Sequence, residues 1–217
     1  TDLFRLDTPG LSNNRNNAIA HSHGDIRLTA DDDLHYTAEQ LAMIIEVFER
    51  NPELDMATFM YEGPDAKRYP PHGFRLTDRW PKGYFITSFE TAVRASGPAG
   101  SLRYDTRFGL GSDMFTIGED DMFLLEALHR GMDVRFYPIV ITRHEGLTTG
   151  LRHMAPQALA GSGAVIRYMH PLTFVPRIAL KAFRLWRAGQ AGLLPALYHG
   201  LRGAAIATFS ITPPWKG

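Results

Sequence analysis

The stretch Ile26-Arg27-Leu28-Thr29-Ala30-Asp31-Asp32-Asp33 contains the pattern that decides the fold. Its first five residues predict a short strand, and the strand ends abruptly in three aspartates. Three adjacent carboxylates repel one another unless a cation neutralises them. Because side chains alternate along an extended chain, Asp31 and Asp33 point to one side and Asp32 to the other. The run therefore indicates either a divalent-metal site at the end of a strand or a solvated acidic turn before the next helix.

Helices and strands alternate on both sides of this strand. Before it, Ser12 is predicted as the N-cap of a helix that runs to about His21. After it, Thr37 and Gln40 predict a capping box for a helix that Asn51-Pro52 ends. Apolar residues recur in that helix at helical spacing: Leu41, Ile44, Ile45 and Phe48. Further strands are predicted at 56–61, 84–87, 134–137 and 140–142, the last two flanking Pro138, and further helices near 90–95 and 119–130. This alternation predicts an α/β layer structure.

A long loop is predicted from Glu62 to Gly83, where four prolines interrupt any regular pattern. Loops of this length inside compact domains are usually functional or mobile. Trp80, in this loop, would either stack on a sugar ring or anchor the loop as a buried side chain.

The composition excludes several classes of protein. The chain has 217 residues, a hydrophobic content of 44% and no cysteine. Without cysteine there is no disulfide scaffold, zinc finger, iron–sulfur site or thiol nucleophile. The oxygen and nitrogen ligands that remain suit hard cations such as Mg²⁺ or Mn²⁺. The opening residues also lack the basic and apolar regions of a signal peptide.

A second acidic cluster, Gly118-Glu119-Asp120-Asp121, opens the helix predicted over 119–130. Carboxylates in the first turn interact favourably with the helix dipole, which is sufficient reason for their presence. The functional interpretation is a general base held beside a glycine turn. His144 follows a predicted strand, and a lone histidine there is either structural or a metal ligand.

Charge is divided unevenly along the chain. The net charge is zero, but no acidic residue follows Glu145, where eight of the 23 basic residues lie. In the helix predicted over 176–188, four of these share one face and aromatic residues lie opposite: Arg177, Lys181, Arg184 and Arg187 against Phe183 and Trp186. This pattern indicates either a helix that lies on an anionic membrane surface or a helix that packs on the rest of the protein. Basic and aromatic residues do not interleave, which argues against a nucleic-acid platform.

Together, these motifs resemble those of family 2 glycosyltransferases, which have the GT-A fold. The resemblance rests on Gly10-Leu11-Ser12 with Arg15-Asn16, on Gly24-Asp25 seven residues before the aspartates, and on Gly118-Glu119-Asp120 with Phe123 and Gly131. Phe108-Gly109-Leu110-Gly111 and Ser88-Phe89-Glu90 resemble acceptor-side segments of the family. The resemblance covers about residues 10–150. It implies a mixed, Rossmann-like central sheet with flanking helices, in a GT-A domain over residues 1–150, and a helical, basic region over 151–217.

The resemblance also implies roles for individual residues. Asp120 matches the catalytic base, with Glu119 beside it. Arg15, Asn16, Asp31, Asp32 and Asp33 match donor-binding positions. Asp31, Asp33 and His144 match positions that hold a divalent cation, and Gly109, Gly111 and Trp80 are expected on the acceptor side.

The implied function is an inverting, metal-dependent transfer from a nucleotide-diphosphate sugar to a saccharide or lipid-linked acceptor in surface polysaccharide synthesis. By family habit the donor is expected to be a uridine diphosphate sugar. The expected location is cytoplasmic, with attachment to the inner face of the cell membrane as one interpretation of the tail. Family members begin with a strand–helix–strand unit, nearly all of which is missing before Gly10. This gap indicates a fragment, a sequence from which a part is absent, or a degenerate relative of the family. The alternative function is that of the last case, a non-catalytic GT-A remnant that binds a glycan or a protein.

Overall fold

The computed structural model describes residues 3–31, 34–64, 66–77, 81, 84–144 and 155–216. In these residues the helices are α1 (Leu11–Ala20), α2 (Ala38–Arg50), α3 (Glu119–His129), α4 (Pro156–Met169), α5 (Phe174–Arg187) and α6 (Leu193–Phe209). The strands are β1 (Ile26–Leu28), β2 (Leu34–His35), β3 (Met56–Glu62), β4 (Phe74–Arg75), β5 (Thr91–Arg94) and β6 (Val134–His144). Short 3₁₀ turns lie at Ser88–Glu90, Pro98–Ser101 and Pro214–Lys216.

The chain divides into two compact units. The first consists of Thr1–Asn17, Tyr104–Met122 and Gly150–Gly217, and the second of Ala18–Arg103 and Phe123–Thr149. Each unit is assembled from segments distant in sequence, so neither is one continuous stretch of the chain.

A mixed sheet forms the centre of the second unit. Its strand order is β1-β5-β3-β6-β2, and β4 also pairs with β6. Only β3 and β6 are parallel among these pairs, and the other pairs are antiparallel. Side chains of α2, of the central strands and of the turn before β3 form a buried core: Ile44, Val47, Phe48, Leu54, Ala57, Phe59, Ala92 and Ile141. The predicted α/β class with a mixed central sheet is confirmed.

Helix α2 begins with the predicted capping box. The Thr37 hydroxyl accepts from the Gln40 backbone N–H, and the Gln40 side chain accepts from the Thr37 N–H. Ile44 and Phe48 are buried as predicted, together with Val47. Leu41 and Ile45 are exposed instead. Leu41 lies in the first turn, ahead of the buried positions, and Ile45 points about a quarter of a turn away from Ile44.

Two of the strand and helix predictions between residues 84 and 95 are wrong. Residues 84–87 form no strand, and the helix predicted near 90–95 is strand β5. β5 fills the position between β1 and β3, with Val93 opposite both Arg27 and Met56. Sheet pairing on both sides outweighs the weak local preference of so short a segment.

The two strands predicted around Pro138 are one continuous strand, β6. Its register against β3 shifts between Thr58 and Met60, opposite the part of β6 that contains Pro138. Because proline cannot donate a ladder hydrogen bond, an irregularity at this point lets the strand continue.

The helices α4, α5 and α6 pack together in the first unit. A Cβ atom on Gly163 would lie 1.9 Å from the Gly200 carbonyl oxygen, and one on Gly203 would lie 1.8 Å from that of Ala160. Only glycine therefore permits this approach of α4 and α6. No helix in the described ranges has the length and apolar character needed to cross a membrane.

Candidate active site

Arg15, on α1, lies between two carboxylates at the start of α3. Its Nη1 donates to Asp120 Oδ1 at 2.9 Å and lies 3.6 Å from Glu119 Oε1. Its guanidinium also lies over the Tyr104 ring, 5.1 Å from the ring centre. The three charged side chains are 10 to 21% exposed, so the cluster is enclosed but reachable by solvent.

Gly118 sets the direction in which these carboxylates leave the backbone. Its φ is +102°, and a Cβ there would lie 2.7 Å from Val165 Cγ2. The Gly118 carbonyl accepts the first helical hydrogen bond of α3, from the Met122 N–H. Glu119 and Asp120 therefore occupy the first turn, where the helix dipole favours negative charge.

The Glu119 carboxyl has a pKa raised to about 7. Burial is the largest cause, and the neighbouring charge of Asp120 adds to it. Arg15 opposes the shift without cancelling it. Around neutral pH, Glu119 is therefore populated in both its protonated and ionised forms, as is typical of functional sites.

Polar side chains of helix α1 hold it in place through hydrogen bonds to the backbone of other segments. The Asn16 amide donates to the Tyr104 carbonyl at 2.8 Å and accepts from the Tyr104 N–H at 2.7 Å. The predicted N-cap role of Ser12 is wrong, because α1 begins at Leu11 and the Ser12 hydroxyl donates to the Phe108 carbonyl at 2.6 Å. These bonds fix the position from which Arg15 reaches α3.

Gly109 and Gly111 lie in the loop that packs against the start of α1. Both have positive φ, +104° and +83°. A Cβ on Gly109 would lie 2.9 Å from Ser12 Oγ and 3.4 Å from Glu119 Cδ, and one on Gly111 would lie 3.0 Å from Gly10 Cα. These glycines bring the loop close to the acidic cluster, while their acceptor-side role stays a prediction.

In the second unit, His144 pairs with the first residue of β2, which follows the acidic run in the sequence. β2 begins at Leu34, immediately after Asp31-Asp32-Asp33, and Leu34 is directly opposite His144 in β6. The His144 ring is buried and stacks on Phe89, with ring centres 5.7 Å apart. Asp31 is close enough for its charge to help raise the pKa of Tyr36. Asp32, Asp33 and Trp80 lie outside the described residues.

The predicted ligand types, carboxylates and an imidazole, fit a divalent cation in their chemistry. His144 is paired with Leu34, the residue that follows the acidic run in the sequence. Among the residues whose placement the structure gives, no group of three or more His, Asp or Glu side chains forms a metal cluster.

A family model for glycosyl transferase family 2 matches residues 2–107, which include α1, the acidic run and β5. This match covers just under half of the chain and supports a glycosyl transferase family 2 domain. A comparison with curated proteins finds no match.

Solved structures support the same fold for this glycosyltransferase. S. aureus TarS 1-349 in complex with UDP-GlcNAc is 12% identical with a TM-score of 0.54, over 89% of this chain and 71% of that one. S. aureus TarS 1-349 is 13% identical with a TM-score of 0.56, over 91% and 72%. A longer S. aureus TarS chain is 12% identical with a TM-score of 0.55, over 94% of this chain and 43% of that one. The chain thus spans less than half of the longer TarS structure, and the likeness shows a GT-A-like fold.

The glycosyltransferase domain also contains a buried ion pair that the sequence did not reveal. Lys67 and Tyr69, from the long loop, both bind Glu90, and Tyr69 Oη donates to Glu90 Oε2 at 2.6 Å. The Lys67 and Glu90 side chains are 5% and 0% exposed. Burial raises the pKa of Glu90, and the Lys67 charge opposes this shift. Lys67 and Glu90 are 23 residues apart in the sequence, and such a separation gives no periodic signal. Glu90 does belong to Ser88-Phe89-Glu90, a segment that resembles the family.

Lys181, on the basic face predicted for α5, also bonds to a neighbouring helix. Its Nζ donates to Ser162 Oγ of α4 at 2.8 Å. Burial lowers the pKa of Lys181, and the charge of Asp121 opposes this shift. On the helix, Lys181 lies only about 60° from the buried Ile178, so its ammonium group turns inward from the edge of the packed face.

Proposed function

We propose that the chain transfers a sugar from a nucleotide-diphosphate sugar to a hydroxyl of a saccharide or lipid-linked acceptor, with inversion at the anomeric carbon. The observation that carries this proposal is the cluster of Arg15, Glu119 and Asp120 at the start of α3. It supplies a positioned carboxylate beside a carboxyl whose pKa of about 7 matches the pH at which such chemistry operates.

In this mechanism Asp120 removes the proton of the acceptor hydroxyl. The acceptor oxygen attacks the anomeric carbon from the face opposite the diphosphate, and the bond from that carbon to the diphosphate oxygen breaks with its electron pair. Arg15 orients the base, because it binds Asp120 Oδ1 and is itself fixed by the Tyr104 ring. Glu119 adjusts the electrostatic potential around the base, since it gains or loses its proton near neutral pH.

Asp31, Asp33 and His144 would hold a divalent cation, with Asp32 and Asn16 among the donor-binding residues. Such a cation offsets the negative charge that develops on the departing nucleoside diphosphate. Asp31 and His144 belong to the second unit, and Arg15, Glu119 and Asp120 to the first.

A uridine diphosphate sugar is the donor that we propose. TarS structures with UDP-GlcNAc and with UDP support this choice, since they show that a GT-A neighbour binds such ligands. We further propose that the acceptor belongs to surface polysaccharide synthesis, and that the enzyme acts at the cytoplasmic face of the membrane.

Calorimetric titration with UDP, with and without Mn²⁺, tests the proposal. Binding that requires Mn²⁺ is expected for the wild-type chain, and Asp33→Ala should weaken it strongly. Glu49→Ala, which removes an equal charge from the exposed surface of α2, should leave it unchanged. Absence of metal-dependent UDP binding by a verified full-length chain would overturn the proposal and favour the alternative, a non-catalytic remnant of the fold that binds a glycan or a protein.

A further inference from the structure

Helix α5 exposes an apolar stripe on its outward side. Ile178 and Ala182 are its buried residues. Val175, Ala179, Phe183 and Trp186 are exposed and fall within about 80° of one another around the helix axis. Phe183 is 42% exposed and Trp186 is 51% exposed. The centres of their rings lie 5.7 Å apart.

Helix α6 has a second outward apolar stripe. Its glycine and alanine side packs against α4, as described above. On the opposite side Leu194, Tyr198 and Phe209 are 75%, 63% and 85% exposed. Large apolar side chains exposed in series on two successive helices are typical of an interaction surface rather than of ordinary scattered exposure.

Positive charge borders these stripes. On α5, Arg187 lies about 40° from Phe183 around the helix axis and Arg184 about 100° from it, so both exposed arginines border one side of the stripe. On α6, the exposed Arg202 lies one turn after Tyr198. No acidic residue occurs in the sequence after Glu145, so these helices contain no negative charge of their own. Aromatic and aliphatic residues next to arginine are the combination found in helices that lie in an anionic membrane interface.

We propose that the outward sides of α5 and α6 dock on an anionic phospholipid surface, where Phe183, Trp186, Leu194 and Tyr198 enter the headgroup region and the arginines bind lipid phosphates. This docking would bring the enzyme to a lipid-linked acceptor, and in that respect the inference rests on the proposed function. A second copy of the chain is a poorer occupant, because self-association through this face would bring arginines together with no acidic residue to pair them.

Vesicle sedimentation tests the proposal with the whole chain. Binding is expected to vesicles of phosphatidylglycerol and phosphatidylcholine at low salt and to be much weaker for phosphatidylcholine alone. Because each basic residue near such a surface strengthens binding about fivefold, Arg184→Gln with Arg187→Gln should weaken partitioning about 30-fold. Arg50→Gln with Arg103→Gln, which removes the same charge from exposed positions in the second unit, should leave it within about twofold.

Quenching by brominated lipids locates the contact. Trp186→Phe should remove most of the quenching of tryptophan fluorescence, whereas Trp215→Phe should remove little, since Trp215 packs edge-on against Tyr168. No binding to anionic vesicles at low salt, or equal loss from both pairs of arginine substitutions, would overturn the proposal. The proposal would also be overturned if the wild-type chain were a dimer and Phe183→Ser with Trp186→Ser converted it to a monomer. This face would then bind a second copy of the chain. UDP titration of the same samples reports the donor site separately, so that failure of membrane docking and failure of the proposed activity are distinguishable.

Discussion

Two enclosed ionic clusters differ in their balance of charge. In the first unit, Arg15 faces two carboxylates, Glu119 and Asp120, and solvent reaches all three side chains. In the second unit, one cation, Lys67, faces one carboxylate, Glu90, and both are closed off from solvent. An unbalanced cluster that solvent can reach is able to exchange a proton or receive a ligand, whereas a balanced and closed pair can only hold elements together. We infer that the first cluster serves catalysis and that the second anchors the long loop to the sheet.

The largest expected effect is on the reaction itself. Asp120→Asn should lower the rate of sugar transfer by about 10²–10⁴-fold, because acid–base assistance typically supplies this factor. UDP affinity should change little, since the substitution is nearly isosteric. Transfer is measured as release of the nucleoside diphosphate with a donor and acceptor found by screening.

Asp121→Asn is the matched control for Asp120→Asn, because it removes the same charge from the next residue of the same helix turn. Its transfer rate should stay close to that of the wild type. Similar, mild losses in both variants would mean that these carboxylates only stabilise the start of α3, and the distinction between the two clusters would fail.

The next effect is on stability and concerns the closed cluster. Glu90→Gln should lower the free energy of unfolding by about 3–5 kcal/mol, because it leaves the Lys67 ammonium buried without a counter-charge. Urea unfolding followed by circular dichroism measures the loss. Glu90→Gln combined with Lys67→Met should recover much of it, since neither charge then remains.

The exposed pair of Glu46 and Arg50 provides the control for that measurement. Its side chains are 50% and 75% exposed, and such pairs contribute about 0–1 kcal/mol. Glu46→Gln should therefore change the unfolding free energy only slightly. A Glu90→Gln loss no larger than this would contradict the anchoring role.

The smallest effect is a pH dependence produced by Glu119. Because its folded pKa is raised to about 7, the folded state binds more protons than the unfolded chain between about pH 4.5 and 7. Stability due to this group is therefore fully present in acid and falls as the pH rises through that window. Glu119→Gln should thus stabilise the chain relative to wild type at pH 8 by about 1–3 kcal/mol, with little gain at pH 4.5.

Urea unfolding of both proteins at pH 4.5 and pH 8 gives the difference directly, since titrations shared by the two chains cancel. A constant difference between wild type and Glu119→Gln at the two pH values would show that Arg15 balances the cluster after all.

The sequence predicted those helices and strands whose ends are marked by capping residues, glycine or proline. The capping box of Thr37 and Gln40 located α2, and Gly118 and Gly131 bounded α3, where Gly131 has a φ of +75°. The strand after Asn51-Pro52 was likewise predicted, since an apolar run follows a clear stop.

Contacts between distant residues account for what the sequence did not predict. β5 is a strand because β1 and β3 pair with it, and no pattern within four residues contains that information. The bond from Arg15 to Asp120 joins residues 105 positions apart, and only the folded first unit brings them together. The hydrogen bond from Lys181 to Ser162 was not predicted either, because Ser162 belongs to another helix.

The glycine contact of α4 with α6 separates two properties that could otherwise change together during evolution. Gly163 and Gly203 meet the backbone of the facing helix, and Gly200 lies against Ile178 of α5. Together these three glycines fix how α6 is rotated about its own axis, and therefore which of its residues face outward. Leu194 and Tyr198, on the far side, can be exchanged for other apolar residues without moving that axis. A lineage could thus tune the strength of surface attachment by many single substitutions, whereas the orientation of the attached enzyme would be inherited with three glycines.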